Sequence, residues 1–173
     1  FGDSVMTSNT SSISAGSMTY YWNFGDGSNS TSSSPSHLYA AAGTYTISLL
    51  ATSNNGCQNS YSTTVTVYPA PAASFNVSDA CYGYTIAFQN TSSVSSGSNT
   101  FAWDLGDGSS TNNVSPTHLY ASSGMYSAKL LATTDKGCVD SVAKNVSVHP
   151  EAISSFTASN VCDGDTVHFI NSS

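Results

Sequence analysis

The sequence predicts an all-β protein made of small β-sandwiches set end to end, and three observations predict it. Trp22-Asn23-Phe24-Gly25-Asp26-Gly27 returns as Trp103-Asp104-Leu105-Gly106-Asp107-Gly108, 103 − 22 = 81 residues later. That interval is too long for a solenoid unit and suits one small β domain. Apolar residues are spaced with period two, with no helical periodicity, and Gly-, Asn- and Ser-rich turn signals separate the short runs.

The residues between these landmarks keep the same interval. Pro35-Ser36-His37-Leu38-Tyr39 returns as Pro116-Thr117-His118-Leu119-Tyr120, and Gly43, Tyr45 and Cys57 return as Gly124, Tyr126 and Cys138. Pro69, Phe75 and Cys81 return as Pro150, Phe156 and Cys162, and Val5 falls on Ile86 and Val167. The register divides the chain into residues 1–69, a repeat lacking its first strand; residues 70–150, a complete repeat; and residues 151–173, the first two strands of a third.

In the complete repeat, Ala73 to Ser78 reads as the first strand and Thr85 to Asn90 as the second, with Ile86 and Phe88 inward. Thr100 to Leu105 follows, placing Phe101, Trp103 and Leu105 on the buried face and Ala102 and Asp104 outside, because side chains alternate along a strand. Gly106-Asp107-Gly108 ends this strand in a sharp turn that requires positive φ. A Ser/Thr/Asn-rich edge segment leads to a strand over His118 to Tyr120. Ser123-Gly124 turns the chain into Tyr126 to Thr133, and Asp135-Lys136-Gly137 is a hairpin signal before the last strand, which ends at Val148. Strands at this spacing describe a β-sandwich. Pro69-Ala70-Pro71 and His149-Pro150-Glu151 are short linkers stiffened by proline, so neighbouring sandwiches are expected to stack as a semi-rigid rod.

Composition narrows the function. Charged residues make up 8% of the chain, and Lys129, Lys136 and Lys144 are its only cations beside ten acids, for a net charge of −7. Three scattered lysines cannot supply the phosphate contacts that nucleic acid demands. No apolar run is long enough to span a membrane. The chain opens in mid-pattern at Phe1, so the sequence reads as a piece of a longer protein.

Trp-x-Phe/Leu-Gly-Asp-Gly, then Pro-x-His-x-Tyr, then Gly-x-Tyr, in this order, closely resembles the polycystic kidney disease (PKD) repeat over nearly the whole chain. The resemblance implies tandem immunoglobulin-like sandwiches. The cysteine-bearing form, with Cys81 before the second strand and Cys138 before the last, is similar to repeats of large secreted proteins of Bacteroidota-type bacteria.

Few residues offer chemistry. Asp26 and Asp107 are candidate Ca²⁺ ligands as hard oxygen donors in a turn, but Ca²⁺ needs six or more oxygens and no further acids cluster here. The residues favour a structural role, each carboxylate capping backbone N–H groups of its own turn. His37 and His118 lack a nucleophile or paired acid in the sequence pattern, and no histidine cluster has zinc spacing. They read as packed, hydrogen-bonded residues. No cofactor, catalytic group or enzyme activity is expected.

Trp22 and Trp103 lie on the inward phase of their strands and belong to the cores. Tyr21, Tyr61, Tyr68, Tyr82 and Tyr84 are placed to be exposed but are not repeated, so they read as variable surface rather than a sugar platform.

Cys57, Cys81, Cys138 and Cys162 fit disulfides in an oxidising exterior. In a sandwich of this type Cys81 and Cys138 lie at opposite poles, roughly 23 Å apart for a strand of about seven residues, whereas a disulfide tolerates a Cα separation of about 7 Å. Bridges across repeat boundaries are therefore expected, with a cysteine before Phe1 as the partner of Cys138; a Cys81–Cys138 bridge within one repeat is the alternative. Asp3-Ser4-Val5, Asp140-Ser141-Val142 and Asp165-Thr166-Val167 resemble the Bacteroidota O-glycosylation motif, which makes Ser4, Ser141 and Thr166 candidate glycan sites.

The expectation is a structural segment of a long extracellular fibre, stalk or adhesin, a disulfide-reinforced glycoprotein rod at the cell surface. Its partners are neighbouring repeats, lateral self-association and a glycan or surface ligand at a distant tip. The alternative is a spacer or carbohydrate-associating accessory module of a secreted hydrolase.

Overall fold

The computed structural model describes residues 4–172. Every regular element is a β-strand. Two compact units form, one of residues 4–73, 92–100 and 132–140 and the other of residues 74–91, 101–131 and 141–172. Each has its own hydrophobic core, and each core holds one of the two indoles.

The second repeat shows the full pattern. Its main sheet joins β11 (Asn99–Asp104), β12 (Ser110–Thr111), β14 (Gly124–Thr134), β15 (Val139–His149) and β8 (Ala80–Cys81) in the order β12-β11-β14-β15-β8. Two short antiparallel pairs accompany it: β7 (Phe75–Asn76) with β10 (Gln89–Asn90), and β9 (Ile86–Ala87) with β13 (Thr117–His118). Phe75, Phe88, Trp103, Leu105, Tyr120, Leu130 and Val146 are buried in the core of this repeat. The period-two alternation on β11 buries Trp103 and exposes Ala102 and Asp104, as the pleat of a one-sided strand requires.

Three elements differ from the sequence expectation. The first strand is shorter than Ala73 to Ser78; the chain then crosses to the main sheet as β8, which runs parallel to the end of β15 with His149 opposite Cys81. The second strand divides at the buried Phe88, its halves pairing with different partners. The strand expected at His118 to Tyr120 is β13, Thr117–His118, which leaves Tyr120 beyond its end.

The first repeat contains β1 (Val5–Met6), β2 (Met18–Asn23), β3 (Asn29–Ser30), β4 (Ser36–His37), β5 (Gly43–Ser53) and β6 (Gln58–Val67). β1 pairs with β4, and the main sheet has the order β3-β2-β5-β6. Its core is Trp22, Phe24, Tyr39, Ile47 and Leu49. β6 is the edge of this sheet, whereas its counterpart β15 carries β8 on that side. After the second repeat, β16 (Phe156–Ala158) and β17 (Phe169–Asn171) pair with Phe156 opposite Asn171, the register in which Phe75 meets Asn90.

Candidate functional site

The repeated turn is the most organised polar feature of each repeat. Asn23 ends β2, and its Oδ1 accepts a hydrogen bond from the Gly25 N–H at 2.8 Å. Asp26 Oδ1 accepts from the Ser28 N–H at 3.0 Å and from the Ser28 hydroxyl. In the second repeat Asp104 Oδ1 takes the Gly106 N–H at 3.0 Å and Asp107 Oδ1 the Ser109 N–H at 2.9 Å. Asn and Asp exchange at positions 23 and 104 because a side-chain oxygen two residues before the glycine is all that this bond needs. Gly25 and Gly106 have φ of 81° and 84°, the left-handed region that favours glycine.

Each turn aspartate reaches a histidine eleven residues on. His37 Nε2 lies 2.7 Å from Asp26 Oδ2, and His118 Nε2 lies 2.7 Å from Asp107 Oδ2. The His37 ring stacks on Phe24 with centroids 4.2 Å apart and meets Tyr39 edge-on at 4.6 Å. Tyr39 and Tyr120 lie two residues further along and donate their buried hydroxyls to the carbonyls of Phe24 and Leu105, each at 2.8 Å. The same residues thus fasten the turn to the core from two directions, through a carboxylate–imidazole contact and through a buried phenol.

Electrostatics follow this geometry. The Ser28 hydroxyl, then His37, then the Ser28 N–H hold the Asp26 carboxyl far below the usual carboxylate range. Burial pushes Asp107 upward, but hydrogen bonds from His118 and Ser109 outweigh it and leave the carboxyl below its ordinary value. Burial, then the Asp107 charge, push the Tyr120 phenol up to about 12.

Serine, histidine and aspartate therefore do meet in this fold, although no linear motif announces them; Ser28 Oγ lies 3.1 Å from His37 Nε2. The arrangement is not a catalytic relay. A relay needs one imidazole nitrogen on the serine and the other on the carboxylate, whereas here Nε2 faces both Ser28 and Asp26. Among the described residues no group of three or more His, Cys, Asp or Glu side chains is arranged to hold a metal ion.

The other candidates scatter. Trp22 and Trp103 are buried, and their indole N–H groups donate to the carbonyls of Ser32 and Asn113. Tyr21, Tyr68, Tyr82 and Tyr84 are exposed. Tyr61 is exposed too, yet it is opposite Leu49, itself opposite Trp22, and so occupies the core-facing side of its sheet. Ser4, Ser141 and Thr166 are exposed; Asp3, of the first glycan motif, lies outside the described residues. All four cysteines are free thiols. Cys81 sits opposite the last residue of β15, and Cys138 immediately precedes its first.

Two immunoglobulin-like sandwiches, each closed by an aspartate–histidine turn over its own indole, define a tandem array of non-catalytic β modules. The chain belongs to the PKD domain family, whose sequence pattern matches residues 2–68 and again residues 67–149. It is 31% identical over 150 residues to the pre-pro-metalloprotease PrtV of Vibrio cholerae, covering 84% of this chain and 16% of that protein. It is 42% identical over 57 residues to the collagenase ColA of Bacillus cereus, covering 33% of this chain and 6% of that protein. Among solved structures it is similar to the PKD1 domain of PrtV, at 36% identity and a TM-score of 0.43 over 46% of this chain and 98% of that one. It is also similar to the PKD1 domain of Vibrio anguillarum Epp, at 27% identity and a TM-score of 0.45 over 49% of this chain and all of that one. The chain spans less than a fifth of the length of the curated relatives it matches. Among the described residues no helix is long and apolar enough to cross a membrane.

Proposed function

We propose that this chain is a non-catalytic spacer or accessory segment of a secreted, multidomain protein, most simply a hydrolase that acts outside the cell. The observation that carries this reading is the company of its relatives: repeats of this family occupy a small share of a metalloprotease and of a collagenase. The aspartate–histidine turns hold each module rigid, and a surface rich in Ser, Thr and Asn suits a spacer in water. Deleting the segment from the full-length protein tests this. Turnover of a short soluble substrate is expected to persist while activity on an insoluble polymer falls, and loss of both would overturn the reading.

A long fibre or adhesin shaft is the second reading, favoured by cysteines that recur at the repeat interval. Within one compact unit the Cys138 thiol donates to the Tyr68 carbonyl at 3.9 Å. Tyr68 is the counterpart of His149, beside which Cys81 is paired, so a cysteine preceding Phe1 in the same register would meet Cys138. The alternative bridge within the second repeat would have to span β15, about 35 Å of strand, against the roughly 7 Å that a disulfide allows. Ser4, Ser141 and Thr166 remain proposed O-glycan sites of this exterior protein. Non-reducing peptide mapping of the intact protein tests the bridges, and a Cys81–Cys138 peptide would defeat them.

A further inference from the structure

The first repeat carries an open apolar groove of about 450 Å³, lined among others by Thr7, Asn9, Trp22, Leu49, Tyr61 and Thr63. The second repeat shows what occupies the same place. There Phe75 is paired opposite Asn90, lies 6.2 Å from Phe88 and 5.0 Å edge-on from Trp103, and has Lys144 5.3 Å over its ring. The counterparts of these four neighbours, 81 residues earlier, are Asn9, Thr7, Trp22 and Thr63, and all four line the groove. Thr7 for Phe88 enlarges the seat, and Tyr61 faces it where the second repeat packs Val142 against its core.

A second, separate feature is also incomplete. β6 is a sheet edge, whereas β15 pairs at its end with Ala80–Cys81. In the second repeat one short segment, Phe75 to Cys81, fills the groove with its phenylalanine and covers the edge with its alanine and cysteine.

The chain holds another segment of this design. Phe156 is the counterpart of Phe75, and Val161 and Cys162 are the counterparts of Ala80 and Cys81. Phe156 is 68% exposed where Phe75 is fully buried, and every residue of β16 and β17 is exposed, so little apolar burial holds β16 to β17.

We propose that two copies of this polypeptide associate head to tail by strand donation: Phe156 to Cys162 of one copy enters the first repeat of the next, seating Phe156 against Trp22 and pairing Val161 and Cys162 parallel to Val67 and Tyr68. Such a contact joins two different surfaces and leaves both ends free, so it propagates as an open chain rather than a closed dimer. The same register brings Cys162 of the donor beside Tyr68 of the acceptor, and hence to the acceptor's Cys138. With oxidised glutathione as oxidant, the two thiols form one disulfide and give up two electrons and two protons, and one glutathione disulfide becomes two glutathione thiols. This trap rests on the cysteine geometry proposed above; the association itself does not.

Sedimentation of the reduced 173-residue chain over a concentration series reads the association. The weight-average mass is expected to rise with concentration; Phe156→Ala is expected to weaken the rise tenfold or more, the scale of burying one large apolar side chain. A synthetic peptide of residues 153–162 is expected to compete for the groove. A monomer at every concentration, or an oligomer indifferent to both Phe156→Ala and the peptide, overturns strand donation. Mixed isotopically heavy and light copies, oxidised with glutathione disulfide, are expected to yield heavy–light Cys138–Cys162 peptides that vanish in Cys162→Ser and persist in Cys57→Ser. Peptide-sensitive association without that linkage upholds strand donation and counts against the cysteine geometry alone.

Discussion

Replacing either glycine of the second turn by alanine separates two physical costs that the fold assigns to different positions. Gly106 and Gly108 have φ of 84° and 90°, and an L-residue there loses about 1–2 kcal/mol. For Gly108→Ala that is the whole cost, because a Cβ at this position meets nothing within 4 Å. A Cβ at Gly106 would lie 2.7 Å from the Ser127 carbonyl oxygen and 2.8 Å from its nitrogen, both backbone atoms of β14. Backbone cannot rotate aside as a side chain can, so the sheet must shift, which adds about 1–3 kcal/mol. Gly108→Ala is therefore expected to lower stability by about 1–2 kcal/mol and Gly106→Ala by about 2–5 kcal/mol. In a domain of this size each kcal/mol moves Tm by about 4–8 °C. Urea unfolding followed by Trp103 fluorescence in a Trp22→Phe background reads the second repeat alone. Equal losses for the two variants, or a Gly106→Ala change under about 0.5 kcal/mol, would refute this account of the turn.

Two further outcomes follow from the same site. Tyr120→Phe removes the phenol that serves the buried Leu105 carbonyl and is expected to cost about 1–2 kcal/mol by urea titration, while Tyr126→Phe, whose hydroxyl reaches an exposed carbonyl, is expected to cost less; the reverse order would count against the fastening role of Tyr120. Asp26 and Asp107 both titrate below their ordinary value in the folded protein, so the stability they contribute is present above about pH 4 and is lost as pH falls through their folded values. Asp107→Asn is expected to flatten the acid limb of the second repeat's stability profile between about pH 4 and 2, and an unchanged limb would show that its hydrogen bonds contribute nothing to folding.

The parts of the site legible in the sequence are those set by local backbone chemistry. Gly-Asp-Gly specifies a turn because only glycine adopts the φ found at Gly25 and Gly106 without strain, and an Asx oxygen bonds its own backbone two residues on. The aspartate–histidine contact was not legible. Asp26 and His37 belong to different strands' ends, and only closure of the sandwich brings their atoms to 2.7 Å. Tyr61 reads as surface because it lacks a counterpart in the next repeat, yet its pairing opposite Leu49 turns it toward the core side.

By itself the sequence determined the repeat interval, the β class, the inward phase of both indoles and the family, since each depends on spacing along one chain and on the alternation of a pleated strand. Only the tertiary structure decided that β8 leaves its neighbours to run parallel to β15, that one strand divides around Phe88 to serve two partners, and which histidine meets which carboxylate. The reason is that hydrogen-bonding edges and buried faces are satisfied by whatever element arrives beside them. That choice is made between segments distant in the chain, where no local pattern records it.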